Sequence, residues 1–165
     1  MVGMSFYAKT PAWNRGQAVE SEFEALLKLR DPEARRATQQ EQYDHIDFIT
    51  SFGTFDVKAL GRVSRSDDST QDERRWLELN NVSGRVGWLL AEKLDYLAFE
   101  REDDFLIVKR EDLKELAKSL CKFEYVDCPL DALYNLYQRR GRKDLLTVIR
   151  TDDMLVLDHR VWDKH

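Results

Sequence analysis

The chain has 165 residues, 42% of them hydrophobic and 35% charged, with a formal net charge of −5. That length and composition fit one folded domain, residues 1–165, and exclude a disordered chain. No apolar run approaches the roughly 20 residues that span a bilayer, so no membrane partner is expected. The acidic balance argues against binding nucleic acid through the whole surface, but not through a local basic groove. The N-terminus, MVGMSFYAKTPAW, lacks the basic start and apolar stretch of a signal peptide, so the expected location is the cytoplasm. Cys121 and Cys128 are too few for a disulfide scaffold and stand in no zinc-binding spacing.

In chain order, Met1–Arg15 reads as irregular. Residues Gln17–Arg30 carry Val19, Phe23, Leu26, Leu27 and Leu29 at the spacing of an amphipathic helix, ended by Asp31-Pro32. Glu33–Asp44 is polar and reads as a loop or loose turn. HIDFIT (His45–Thr50) and TFDVKAL (Thr54–Leu60) are rich in strand formers, and Ser51-Phe52-Gly53 between them predicts a β-hairpin. A polar loop follows over residues 61–74, then a third strand over Trp76–Val82. Leu94–Glu100 and Phe105–Arg110 predict a second hairpin, and Glu111–Lys122 a helix. From Asp131 the chain predicts a short helix (DALYNLYQRR) and strands in LLTVIR and MLVLD. This order gives a mixed α/β fold, a central sheet flanked by helices.

The first hairpin holds the residues most suggestive of chemistry. Asp56 and Lys58 are two positions apart and share one face of their strand. A charged pair facing a core is costly unless it is paired or binds a metal. Asp47 lies across the tight turn and can reach the same spot. Two crowded carboxylates repel each other and invite a divalent cation, and oxygen ligands of this kind suit Mg²⁺ (or Mn²⁺). Such an ion lowers the pKa of a bound water, while Lys58 orients that water and offsets charge on a phosphate.

The run from Asp47 to Lys58, D-F-I-T-S-F-G-T-F-D-V-K, resembles the D…(D/E)-x-K signature of the PD-(D/E)XK nuclease superfamily. The nominal proline is replaced by Ile46. The resemblance covers about Gly16 to Leu120 in element order. It implies a restriction-endonuclease-like core and a metal-dependent nuclease acting on DNA. It also implies a glutamate on the preceding helix: Glu20 is favoured and Glu24, one turn on, is the fallback. On this reading Asp47, Asp56 and Glu20 hold the metal and Lys58 completes the catalytic set. Glu78 on the third strand is a further candidate. The segment from Trp76 to Glu100 resembles a phage-encoded subgroup, which would place the protein in a host cytoplasm. Many such nucleases cut as dimers, which makes a homodimer an alternative, although no dimer seam is visible. The competing function class is a non-catalytic nucleic-acid- or protein-binding module on the same fold.

Other residues carry weaker signals. Arg62, Arg65, Arg74 and Arg75 flank the loop after the signature strand and could grip phosphate, but Asp67, Asp68, Asp72 and Glu73 nearly cancel their charge. Arg139, Arg140, Arg142 and Lys143 form a denser cluster, read either as a DNA backbone contact or as a basic helix end. Trp76 and Trp88 could stack on bases, though packing is the commoner use. His45 could serve as a base, but a structural role is the ordinary one.

Overall fold

The computed structural model describes residues 11–62 and 69–165. Helix α1 (Pro11–Arg30) starts the described chain. It is longer at its beginning than the predicted Gln17–Arg30, because proline is tolerated in a first turn and Gly16 costs a helix only about 1 kcal/mol. Residues 1–10 of the segment read as irregular lie outside the described residues. The polar stretch after α1 contains a two-residue strand β1 (Arg35–Arg36) and a single turn α2 (Gln39–Gln42). Thr38 starts that turn: its hydroxyl accepts from the Glu41 N–H, and the Glu41 carboxylate accepts from the Thr38 N–H.

The predicted hairpin forms from β2 (Phe48–Thr50) and β3 (Gly53–Lys58), antiparallel with Phe48 opposite Phe55. Gly53 has φ 147°, and a Cβ there would stand 2.8 Å from the Tyr96 ring, so the turn excludes larger residues. The second hairpin also forms, from β5 (Tyr96–Glu100) and β6 (Asp104–Lys109), followed by α3 (Arg110–Leu120). Between the hairpins runs β4 (Arg74–Asn80). The last strands are β7 (Tyr125–Val126), β8 (Leu136–Tyr137), β9 (Leu145–Arg150) and β10 (His159–Asp163).

Two sheets result. The larger has the order β1-β2-β3-β5-β6-β10, antiparallel except where β3 runs parallel to β5. The smaller is β4-β9-β8-β7. The third predicted strand is therefore real but does not extend the site sheet. It leaves for the second sheet, as part of the crossover that a parallel β3–β5 pair requires.

Two expected elements are replaced. DALYNLYQRR is not a helix: Tyr134 has φ 60°, which breaks a helix, and the segment carries β8 instead. MLVLD is not a strand. A 3₁₀ turn covers Thr151–Val156, because the Asp153 carboxylate accepts from the Arg150 N–H (2.8 Å) and the Tyr134 hydroxyl (2.6 Å), turning the chain as β9 ends. The final strand falls on HRVWD, whose Trp162 is buried.

Alternation along β5 and β6 separates two cores. Ala98, Phe105 and Ile107 face α1 and pack with Val19, Phe23, Leu27, Phe48, Phe55 and Trp162. Leu97, Phe99, Leu106 and Val108 face α3 and the second sheet, where Leu77 and Ile149 meet them. The buried Arg75 ties the sheets together. It donates to Thr151 Oγ1 (3.2 Å), to the Ala59 carbonyl (3.4 Å) and to the Glu100 carbonyl. Burial pushes its pKa down to about 10. Among the described residues no helix is long and apolar enough to cross a membrane.

Candidate active site

Val57 points into the α1 core, so Asp56 and Lys58 on either side of it point to the opposite face. Asp56 is buried, and Lys58 Nζ lies 2.8 Å from its carboxylate. The same ammonium stands 4.7 Å from the centre of the Trp88 ring, in a cation–π contact. Trp88 is buried beside the site, so it supports Lys58 and is not free to stack on a base.

Asp47 precedes β2. Its N–H donates to the Phe55 carbonyl (2.7 Å) and its carboxylate accepts from the Val57 N–H (2.8 Å). These bonds fix the side chain against β3, where it shares a hydrogen bond with Asp56. Burial and the adjacent Asp56 push the Asp47 pKa up to about 7, against the pull of the Val57 N–H and Lys58. Burial raises Asp56 as well, opposed by Lys58. Two crowded carboxyls cannot both ionise at low cost, so the pair as a whole keeps a proton to higher pH than a free carboxyl would.

Glu20 of α1 acts on this pair through its charge. Burial and the charge of Asp47 raise its pKa to about 7, while Arg36 and Lys58 pull it down. Glu20 also acts on Asp56. Arg36 of β1 holds the helix carboxylates: its guanidinium is 3.4 Å from Glu20 and 3.2 Å from Glu24. Glu24 is further engaged by Lys28 at 3.8 Å. The two helix glutamates are thus distinguished. Glu20 is coupled to the aspartate pair, and Glu24 serves the Arg36 clamp.

Asp47, just before β2, and Asp56 and Lys58 of β3 are therefore in contact, and Glu20 of α1 acts on them through its charge. Among the described residues no three acidic, histidine or cysteine side chains are gathered closely enough to form a ready cage for a metal. Mg²⁺ needs no such cage, because it binds through one or two carboxylates and keeps its waters. The Asp47–Asp56 pair fits that need: it is crowded, oxygen-only, and offset here by the Lys58 ammonium.

The remaining predicted residues are placed less centrally. Glu78 lies on β4 in the second sheet, against Gly87, and the charges acting on Asp47 and Asp56 are chiefly each other, Glu20 and Lys58. Arg75 is buried and structural, so it cannot grip phosphate. Arg62 follows β3, where its carbonyl accepts from the Trp76 indole N–H (3.3 Å), and Arg65 lies outside the described residues. Trp76 packs on Tyr137, with ring centroids 5.7 Å apart. Arg139 is bonded to the fully buried Asp144, which makes it a structural residue of a β8–β9 turn and not a helix end. Arg140, Arg142 and Lys143 are exposed on that turn. His45 is also structural: its Nε2 lies 2.9 Å from the Val86 carbonyl.

Arg36 escaped the sequence reading. It sits in a polar stretch next to another arginine, and only the pairing of β1 with β2 brings it to α1. Comparison with known proteins finds no matching family model, no similar curated protein and no solved structure that matches this one.

Proposed function

We propose that the protein is a metal-dependent nuclease of the PD-(D/E)XK type, on a restriction-endonuclease-like core, hydrolysing phosphodiester bonds of DNA. The observation that carries this reading is the Asp47–Asp56 pair in mutual contact, with Lys58 at 2.8 Å and Glu20 coupled to both. Asp47 and Asp56 would hold a Mg²⁺ or Mn²⁺ ion, with Glu20 contributing directly or through water. Such an ion supplies Lewis acidity toward water and phosphate oxygen.

The chain's own groups supply the rest. The Val57 N–H fixes Asp47, so the aspartate pair is pre-formed rather than gathered on binding. Lys58 Nζ donates hydrogen bonds, and once released from Asp56 it can turn them to a non-bridging phosphate oxygen and to the attacking water. Where Glu20 meets the ion only through water, its carboxylate would take the proton from the attacking water. Water adds to phosphorus, one P–O ester bond breaks, and the departing oxygen takes up a proton.

Incubation with labelled duplex, single-stranded and branched DNA, with Mg²⁺ or Mn²⁺ and with EDTA, tests the proposal. Cleavage is expected with metal and absent with chelator. Lys58→Ala is expected to keep DNA binding and lose cleavage by about 10² or more, the cost of one electrostatic or general-base group. Cutting by Lys58→Ala at the wild-type rate would remove β3 from the mechanism and favour the binding-module reading.

A further inference from the structure

Two turns from different parts of the chain meet beside the candidate active site. One is Asn81–Val86 after β4, and the other is Gln138–Asp144 between β8 and β9. They are joined directly: the Lys143 N–H donates to the Val82 carbonyl (3.3 Å), and Gly84, at φ 80°, lies against the Lys143 side chain. Together they present Arg85, Arg140, Arg142 and Lys143, all exposed. Asp144 is the one acidic residue in either turn, and it is buried and taken up by Arg139. In a chain of net charge −5 this is a local concentration of cations with no carboxylate facing them from within the turns.

The first turn is also fastened to the site. Val86 accepts from His45, two residues before Asp47. Gly87 sits on the Glu78 backbone so closely that a Cβ would stand 2.5 Å from the Glu78 carbonyl oxygen. The next residue, Trp88, carries the Lys58 ammonium on its ring. The cations are thus held at a set position relative to Asp47 and Lys58.

We infer that these two turns form a basic ridge that grips the phosphate backbone of duplex DNA alongside the candidate active site. The inference rests on the nuclease reading for the meaning of its position, though not for the binding itself. Duplex is favoured over single strands by the side chains present. Proteins that hold single strands stack bases on aromatic rings, and neither turn contains an aromatic residue. The rings that flank the turns are already engaged: Tyr137 packs on Trp76, and Trp88 is buried against Lys58. Long cations on exposed turns suit phosphates displayed on the outside of a helix.

The test is fluorescence anisotropy of the full chain in EDTA, where no cleavage intervenes, against a short labelled duplex and the matching single strand over a range of KCl. The ridge variant is Arg85→Ala/Arg142→Ala/Lys143→Ala. A charge-matched control is Lys109→Ala/Lys122→Ala/Arg160→Ala, at the end of β6, after α3 and on the far edge strand. The ridge variant is expected to bind duplex at least about tenfold more weakly, with a salt slope reduced by about 2–3, near 0.9 per lost phosphate contact. The control should bind nearly as wild type does, and the single strand more weakly than duplex. Equal losses in ridge and control variants, no duplex binding by wild type, or single-strand binding as tight as duplex would each overturn the ridge. Cleavage with Mg²⁺ is measured on the same proteins. Ridge-dependent binding without any cleavage would sink the nuclease reading and keep the ridge, whereas cleavage with ridge-independent binding would do the reverse.

Discussion

Asp47 and Arg139 show how much one side chain depends on what lies beneath it. The Asp47 pKa is raised from 3.8 to about 7, so the folded state binds its proton more tightly than the unfolded chain does. That stabilisation is fully present only below the ordinary value of 3.8 and is lost progressively as pH rises from there through about 7. In EDTA, wild type should therefore lose about 2–4 kcal/mol between pH 4 and 8 relative to Asp47→Asn, which has no such proton. Urea denaturation at several pH values measures this, and a constant difference would show that Asp47 is an ordinary exposed carboxylate. Arg139 presents the opposite case, a cation of the basic cluster that serves the fold. Asp144 is fully buried, so Arg139→Ala strands an unpaired charge and should cost about 3 kcal/mol. Arg142→Ala, on the exposed part of the same turn, should stay within about 0.5 kcal/mol. Thermal melts of the two variants separate the roles, and equal effects would refute the division.

At the level of elements, the last strand supports the first helix. Trp162 of β10 stacks on Phe23 of α1 with centroids 5.4 Å apart, and the Arg30 guanidinium lies 4.2 Å above the indole. The helix that presents Glu20 is thus packed against a strand from the other end of the chain. Trp162→Ala should cost about 3–5 kcal/mol through lost burial and a residual cavity. In a domain of this size that lowers the melting temperature by about 10 °C. Amide exchange in α1 should quicken more than in β4, which packs in the other core. Uniform exchange across both would mean that the two cores are not separable units.

For the whole molecule, the aspartate pair sets stability against the proposed function. Removing one of two crowded carboxylates relieves repulsion, and Lys58, 28% exposed, can then turn to water. Asp56→Ala should raise the metal-free melting temperature at pH 8. Mn²⁺ should stabilise wild type, by about 2.7 kcal/mol at a hundredfold excess over Kd, and leave Asp56→Ala unmoved. Melts with and without Mn²⁺ decide it. A variant that gains as much from metal as wild type would place the ion elsewhere.

The sequence alone determined whatever depends on neighbours in the chain. Val19, Phe23 and Leu27 mark a helix face by their spacing, and the flanking runs with Ser51-Phe52-Gly53 mark the hairpin. The two-residue step from Asp56 to Lys58 puts both on one side of β3 wherever that strand lies. Glu20 and Glu24 sit on one helical stripe, so the sequence could only favour Glu20 over Glu24 by resemblance, and the docking of α1 and the position of Arg36 show how their surroundings differ. The tertiary structure likewise decided that β4 leaves for a second sheet, that Arg75 is buried while Arg74 is only partly so, and that Arg139 belongs to Asp144. Local propensity misread 131–140, whose backbone bonds go to partners far along the chain: Leu136 to Glu124, Tyr134 to Val148, Lys122 to Tyr134. It misread MLVLD because the Asp153 carboxylate, bonded to the Arg150 N–H and the Tyr134 hydroxyl, turns the chain there. Periodicity reports which face of an element is apolar. It carries no information about which distant surface will cover that face, and burial, charge pairing and pKa all follow from that cover.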